Sequence, residues 1–130
     1  MSAPDTLAGA ARAITQEQLR AYADASGDHN PLHLDPGYAA TTMFGRPIAH
    51  GMLVLAFVSE MMTDAFGERW LEGGSLRARF RAPVYPGDTV RAAATKRGEE
   101  DGAVHYDVAV RNQDDQAVID GHASVKEEEA

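Results

Sequence analysis

The sequence predicts a single α+β domain over residues 1–130, with helices in its first half and antiparallel strands in its second. Three observations predict this class: apolar residues at helical spacing near the start, a long and very apolar segment after them, and a change to alternating apolar and polar residues over residues 75–82. Helices segregated from a run of consecutive strands are typical of α+β proteins. A sheet wrapped around the long apolar helix would provide the cover that such a helix needs.

The first helix is predicted by Thr15 and Gln18, whose spacing of three resembles a capping box. Gly27 would end this helix, because glycine readily adopts the left-handed conformation found just after helix ends. Residues 26–37 are rich in Gly, Pro, Asn and Asp, so they are predicted to form ordered turns. A short helical piece is predicted over residues 38–42.

The long helix is predicted over residues 50–66, and Gly67 would close it. Its apolar side chains lie nearly all round the helix, which indicates burial on most sides. These side chains are Met52, Leu53, Leu55, Ala56, Phe57, Met61 and Met62.

Alternation of apolar and polar residues predicts four strands, because successive side chains of a strand point to opposite faces. The strands are placed at residues 75–82, 88–97, 103–112 and 117–126. The chain ends are expected to be less ordered, with a frayed terminus over residues 1–10 and a solvated acidic tail over residues 127–130.

Composition excludes several classes of function. The chain has 12 Lys and Arg against 20 Asp and Glu, a formal net charge of −8, which argues against nucleic acid or an anionic membrane as partner. The absence of cysteine excludes disulfides and a thiol nucleophile. The longest apolar run, residues 51–58, is far shorter than the about 20 residues that span a bilayer. With no visible signal peptide, a cytoplasmic location is expected.

Asp28 and His33 are the candidate catalytic residues, because a carboxylate and an imidazole on an ordered turn can take and give a proton. A plainer interpretation is that Asp28 caps a turn and His33 forms local hydrogen bonds, and both roles are common. A metal cluster that adds His29 and Asp35 to this pair is a weak third interpretation, since their spacing on an irregular loop matches no established ligand pattern.

Three motifs carry a family resemblance that covers roughly residues 15–126. Residues 22–39 read Y-x-x-x-S-G-D-x-N-P-L-H-x-x-x-x-x-A, residues 46–53 read R-P-I-x-H-G-M-L, and residues 80–88 read F-x-x-P-V-x-P-G-D. The first resembles the hydratase 2 motif of MaoC-like proteins, the (R)-specific enoyl-CoA hydratases and their dehydratase relatives. The second and third resemble the start of that family's central helix and its strand-and-bend signature.

The resemblance implies a hot dog fold, in which an antiparallel sheet wraps around one long helix, and a homodimer or higher homo-oligomer. It implies a lyase of fatty acid metabolism that reversibly hydrates trans-2-enoyl-CoA to (R)-3-hydroxyacyl-CoA, with Asp28 and His33 as the acid–base pair. The partner would be an acyl thioester of coenzyme A or of acyl carrier protein, with no cofactor or metal. Which residue handles the water, the acyl chain length and the physiological direction stay open. The segment before Thr15 is short for the family, so a complete first strand there also stays open.

Supporting roles follow from the same resemblance. Gly51 would offer its unpaired backbone N–H to the oxyanion, with the helix dipole behind it. Ser59 would hydrogen-bond Asp28, and Asn30 would brace the loop. His50 is expected to cap or orient the helix entrance rather than to take part in the chemistry.

Substrate contacts are predicted on the first long strand. Arg77, Arg79 and Arg81 share one face, so they could bind the phosphates of coenzyme A, although a solvated strand face is the commoner reason for such a pattern. Phe44 could line an acyl tunnel or belong to the core. Two other functions remain open on the same fold: a non-catalytic subunit that binds acyl thioesters or a partner subunit, and a thioesterase.

Overall fold

The computed structural model describes residues 3–127 and confirms the predicted α+β architecture as a hot dog fold: a six-stranded antiparallel sheet packed against one long helix. Residues 1 and 2 of the predicted frayed terminus and residues 128–130 of the predicted acidic tail lie outside the described residues. The strands are β1 (Thr6–Ala8), β2 (Arg12–Ala13), β3 (Gly74–Phe80), β4 (Thr89–Glu100), β5 (Ala103–Arg111) and β6 (Ala117–Lys126). The sheet order is β1-β4-β5-β6-β3, and β2 also pairs with β4.

Strand β1 corrects the expectation of a frayed terminus over residues 1–10. Thr6, Leu7 and Ala8 pair with Thr95, Ala94 and Ala93 of β4, and the Gly9 N–H then donates to the Ala92 carbonyl at 2.9 Å. The pairing extends the sheet by one short edge strand, and Leu7 packs against the core. The period-two pattern was missed because three residues are too few to show it.

The helices are α1 (Gln16–Ser26), α2 (Pro31–Leu34), α3 (Pro36–Ala39), α4 (Gly51–Phe66) and α5 (Glu68–Gly73). Helix α1 begins as predicted, because the Thr15 side chain accepts from the Gln18 N–H at 3.1 Å. Gly27, at φ 82°, ends it in the left-handed conformation. The predicted helical piece at residues 38–42 is instead α3, a few positions earlier, and α5 was not predicted.

One face of α4 packs on the concave face of the sheet. Both surfaces are apolar, and burying them supplies the main driving force for folding this domain. The helix contributes Leu53, Val54, Val58, Met61, Met62 and Phe66, and β4 and β5 contribute Val90, Ala92, Ala94, Val104, Tyr106, Val108 and Val110.

The opposite face of α4 is open, which corrects the prediction that this helix is buried on most sides. Met52, Ala56, Glu60 and Asp64 recur every four residues and are all exposed. The apolar composition was misleading because Met52 and Ala56 have the character of core residues, whereas only the fold decides which face of the helix meets the sheet. Met52 has 61% of its surface exposed in the described chain.

Candidate active site

The segment between α1 and α2 holds Asp28 in a tight hydrogen-bonded turn. The Asp28 N–H donates to Ser26 Oγ at 3.2 Å, and Asp28 Oδ1 accepts from the Asn30 N–H at 3.2 Å. Asn30 is the N-cap of α2, and its Oδ1 accepts from the Leu32 N–H at 3.0 Å. Asn30 therefore lies where a brace for this loop is needed, as the family resemblance implied.

His33 is held from the side opposite to Asp28. Its Nδ1 lies 2.8 Å from the carbonyl oxygen of Ile48, and because a carbonyl can only accept, Nδ1 carries a proton. The same two segments are joined by the Ile48 N–H, which donates to the Leu32 carbonyl at 3.3 Å. The remaining ring nitrogen, Nε2, is left to face Asp28 and the cavity described below.

The structure brings the two predicted catalytic residues together. His33 Nε2 lies 4.0 Å from Asp28 Oδ2, a separation that is too long for a direct hydrogen bond and that one oxygen atom can bridge. The His33 side chain is mostly buried, with 12% of its surface exposed, whereas the Asp28 side chain is 52% exposed. The two groups therefore present different environments to a water molecule held between them.

His50 is a buried polar residue, only 2% exposed, and it lies next to the catalytic pair. Its ring stacks on that of His33, with centroids 3.8 Å apart and planes 25° apart. Its Nε2 lies 3.0 Å from the Asp28 carbonyl oxygen, so Nε2 carries the proton and donates. Burial lowers the pKa of His50, which favours the neutral ring.

Gly51 is the first residue of α4 and lines a cavity of about 310 Å³ that reaches from His33. Its backbone N–H has no hydrogen-bond acceptor among residues 3–127, as expected for the first turn of a helix. The side chains around the cavity are mainly apolar, and they include Phe44, Ile48, Val54, Phe80, Val84 and Ile119. Phe44, for which the sequence left a place in an acyl tunnel or in the core, lines this cavity.

Ser59 does not support Asp28, so the predicted hydrogen bond between these two side chains is wrong. Ser59 Oγ accepts from the indole N–H of Trp70 at 2.9 Å, and this contact ties α4 to α5. Trp70 is buried, and its N–H would otherwise lack a partner. Ser59 lies two turns along α4 from Gly51. It provides the hydrogen-bond acceptor for Trp70 of α5, a helix that was not predicted from the sequence.

Of the three predicted substrate-binding arginines, Arg77 and Arg79 lie on β3 and Arg81 directly follows it. Only Arg81 borders the cavity that His33 lines. Arg77 and Arg79 line, together with Arg81, a separate open cavity of about 530 Å³ on the outer face. Arg81 Nε is also 2.9 Å from Asp120 Oδ2.

The predicted metal ligands do not converge. His29 turns to Asp24, with Nε2 and Oδ1 3.0 Å apart, and Asp35 Oδ1 accepts from the N–H groups that begin α3. Asp28, His33 and His50 do place nitrogen and oxygen atoms within 4.8 Å of one another. Their geometry suits a metal poorly, because the two rings lie in nearly parallel planes with centroids 3.8 Å apart, so a single ion cannot lie in the plane of both rings, where their lone pairs point. That the protein needs no metal stays a prediction.

Two parts of the site were missed from the sequence: the Ile48 carbonyl that orients His33, and the stacking of His50 on His33, since His50 was expected only to cap or orient the helix entrance. A contact made by a backbone carbonyl cannot be predicted from residue types. His50 could have been noticed, because it is a polar residue in the apolar stretch that leads into α4.

The MaoC-like domain family model matches residues 3–118. This chain belongs to the MaoC-like family. Among curated relatives, 3-hydroxyacyl-thioester dehydratase Z of Mycobacterium tuberculosis is 39% identical over 92 residues, which are 68% of this chain and 61% of that protein. The (R)-specific enoyl-CoA hydratase of Aeromonas caviae is 46% identical over 78 residues, 58% of this chain and 56% of that one. The matches thus span about three fifths of these relatives.

Solved structures of MaoC-like relatives share the fold over nearly the whole chain. The (R)-hydratase from A. caviae involved in PHA biosynthesis superposes with a TM-score of 0.80 at 30% identity, covering 98% of both chains. R-hydratase PhaJ1 from Pseudomonas aeruginosa gives a TM-score of 0.80 at 31% identity, covering 99% of this chain and 84% of that one. No helix among residues 3–127 of the present chain is long and apolar enough to cross a membrane.

Proposed function

We propose that this MaoC-like protein is an (R)-specific enoyl-thioester hydratase, which adds water across the C2–C3 double bond of a trans-2-enoyl thioester or removes it in reverse. The observation that carries the proposal is the 4.0 Å separation between Asp28 Oδ2 and the Nε2 of His33, a residue that lines an apolar cavity. The named activities of the relatives, hydration and dehydration of acyl thioesters, support the same reaction.

The pair handles one water molecule. With its Nδ1–H donated to Ile48, neutral His33 offers an Nε2 lone pair, which accepts a proton as the water oxygen attacks C3. The Asp28 carboxylate accepts a hydrogen bond from the second water hydrogen, which stays on the oxygen, and it stabilises the imidazolium that forms. The imidazolium then returns its proton to C2, so the enzyme ends in its starting protonation state and the product is a 3-hydroxyacyl thioester.

The Gly51 N–H stabilises the negative charge that develops on the thioester oxygen while C2 awaits its proton. The donor has no acceptor within residues 3–127, it lies at the positive end of a 16-residue helix, and its residue borders the same cavity as His33. A preorganised donor of this kind contributes about 2.7–4 kcal/mol to the transition state in other enzymes. The acyl chain would then lie along Val54 and Ile119, deeper in the cavity.

The assay that tests the proposal follows the absorbance of the enoyl-thioester band with crotonyl-CoA and longer homologues. We expect the band to disappear on addition of the protein, and chiral analysis to show (R)-3-hydroxyacyl-CoA. An unchanged band with every substrate would contradict the proposal and favour a binding-only subunit. Release of free coenzyme A thiol, measured in parallel, would instead reveal a thioesterase.

Arg81 is the residue that we propose for binding the carrier phosphate, since it borders the cavity and directly follows the last residue of β3. Arg81→Gln should raise KM for crotonyl-CoA severalfold, most strongly at low salt, and leave kcat nearly unchanged, because a phosphate contact remote from C3 binds substrate and transition state equally. Arg91→Gln removes the same charge from β4, beyond both cavities, and serves as the control. An equal rise in KM for both variants would show a general charge effect instead.

A homodimer is proposed from exposed apolar residues around the site. Met43, Met52 and Phe80 are 92%, 61% and 55% exposed, and each lies in or next to a segment that lines the cavity. Strand β3 is one of the two edge strands of the sheet, and it is paired on one side only within residues 3–127. A second copy would cover both features, and sedimentation equilibrium measures its presence. A cytoplasmic location also remains a proposal.

A further inference from the structure

We infer that His50 is the positioning residue of the catalytic site: it holds the His33 ring, the Asp28 backbone and the Gly51 N–H in one arrangement. The inference rests on the proposed hydratase function for its kinetic consequence, but its structural content does not depend on that function. The starting observation is burial, since His50 is only 2% exposed although it does not line the cavity. A polar side chain so placed does not bind substrate and needs another reason to be there.

His50 joins three elements through different contacts. Its ring stacks on His33 of α2 at 3.8 Å and lies against Tyr22 of α1, with centroids 4.8 Å apart. Its Nε2–H donates to the Asp28 carbonyl at 3.0 Å. The catalytic imidazole and the backbone of the catalytic carboxylate are therefore both fixed by one side chain.

The backbone of His50 completes the arrangement. His50 is the N-cap of α4, and its carbonyl accepts from the N–H groups of Leu53 and Val54 at 3.1 and 3.3 Å. The next N–H along the chain is that of Gly51, the proposed oxyanion donor. Because the ring and the helix start belong to one residue, a shift of the acid–base pair relative to the oxyanion donor requires a shift of His50 itself.

The ring performs this role in its neutral form. The Asp28 carbonyl requires a proton on Nε2, while Nδ1 is buried and has no hydrogen-bond partner among the described residues. A proton on Nδ1 would therefore add an unpaired buried donor and a positive charge stacked on His33. A neutral His50 allows His33 to become the only imidazolium in the stack during turnover.

Three substitutions separate the hydrogen bond to the Asp28 carbonyl from the stacking on His33. His50→Gln places an amide N–H where Nε2 lies and keeps the donor to Asp28 but removes the stacked ring. His50→Phe keeps an aromatic ring against His33 but removes the donor, and His50→Ala removes both. We expect kcat to fall about 100-fold in His50→Ala with KM unchanged, because a misplacement of about 1 Å can cost that much. The other two variants should show smaller losses, again in kcat alone.

A second readout does not depend on turnover. In ¹⁵N-edited NMR spectra, the His33 Nδ1–H bonded to Ile48 should give a protected signal in the parent protein, weakened in His50→Gln and lost in His50→Ala. Circular dichroism and thermal unfolding identify any variant that does not fold, and His50→Gln and His50→Phe then decide the question. An unchanged kcat and an unchanged His33 signal in folded variants would overturn the inference. A changed signal in a protein without hydratase activity would overturn the proposed function and leave the positioning role standing.

Discussion

Asp28→Asn and His33→Ala are each expected to lower kcat for crotonyl-CoA hydration by about 10²- to 10⁴-fold, the range usual for loss of a general acid or base. Asn at position 28 retains an oxygen that can accept from the Asn30 N–H, so the turn should persist while the negative charge is lost. His33→Ala removes the Nε2 lone pair that takes the proton of water. KM should change little in either variant, because the apolar side chains proposed to hold the acyl chain, Val54 and Ile119, stay in place. Initial rates at the enoyl-thioester band measure both parameters.

The chain contains its own matched control for this experiment. Asp24 and His29 have the same five-residue spacing as the catalytic pair and lie 3.0 Å apart, but both are exposed and neither lines the cavity. Asp24→Asn and His29→Ala should therefore leave kcat and KM unchanged. If they lowered kcat as much as the catalytic substitutions do, the effect would belong to the charge of the whole segment. The double variant Asp28→Asn/His33→Ala should be no slower than the worse single variant, since residues that act as a unit are not additive.

The elements that could be predicted are those that carry a complete local signal. Helix α1 has both its cap and its terminating glycine in the sequence, and strands β4 to β6 each show several cycles of alternation. Strand β1 has three residues and no cycle to detect, so only its pairing with β4 reveals it. The exposed face of α4 could not be predicted either, because burial of a helix face depends on where the sheet lies.

The same distinction applies to the candidate site: residues of one local motif could be predicted, and contacts between distant segments could not. Asp28 and His33 lie in one short motif, so the family resemblance could place them together. Ser59 was assigned to the wrong partner because α5, which brings Trp70 to it, has no signal of its own in the sequence. His50 was expected only to cap or orient the helix entrance, since its stacking on His33 arises from a fold contact between segments 17 residues apart. A role that depends on tertiary contact is visible only once the fold is known.

Gly51→Pro is expected to lower kcat by about 10²- to 10³-fold relative to Gly51→Ala, the cost of removing one oxyanion donor. Proline lacks the N–H but suits the first position of a helix. His50, at φ −60° and ψ 131°, already has the extended conformation favoured before proline. A Cβ at position 51 would lie 2.8 Å from Phe80 Cε1, so both substitutions displace the same exposed ring. The comparison of kcat between the two variants therefore isolates the N–H.

The affinity for substrate decides what a loss of rate in Gly51→Pro means. A donor that acts on the enolate oxygen stabilises charge that exists only as the reaction proceeds, so kcat should fall while the Kd for a non-reacting saturated acyl-CoA stays equal in both variants. Equilibrium dialysis of butyryl-CoA measures that Kd. A proline variant that binds butyryl-CoA more weakly, with kcat equal to that of Gly51→Ala, would mean that the N–H contacts the ground-state carbonyl only. The oxyanion would then require a different donor, and the start of α4 would serve binding rather than chemistry.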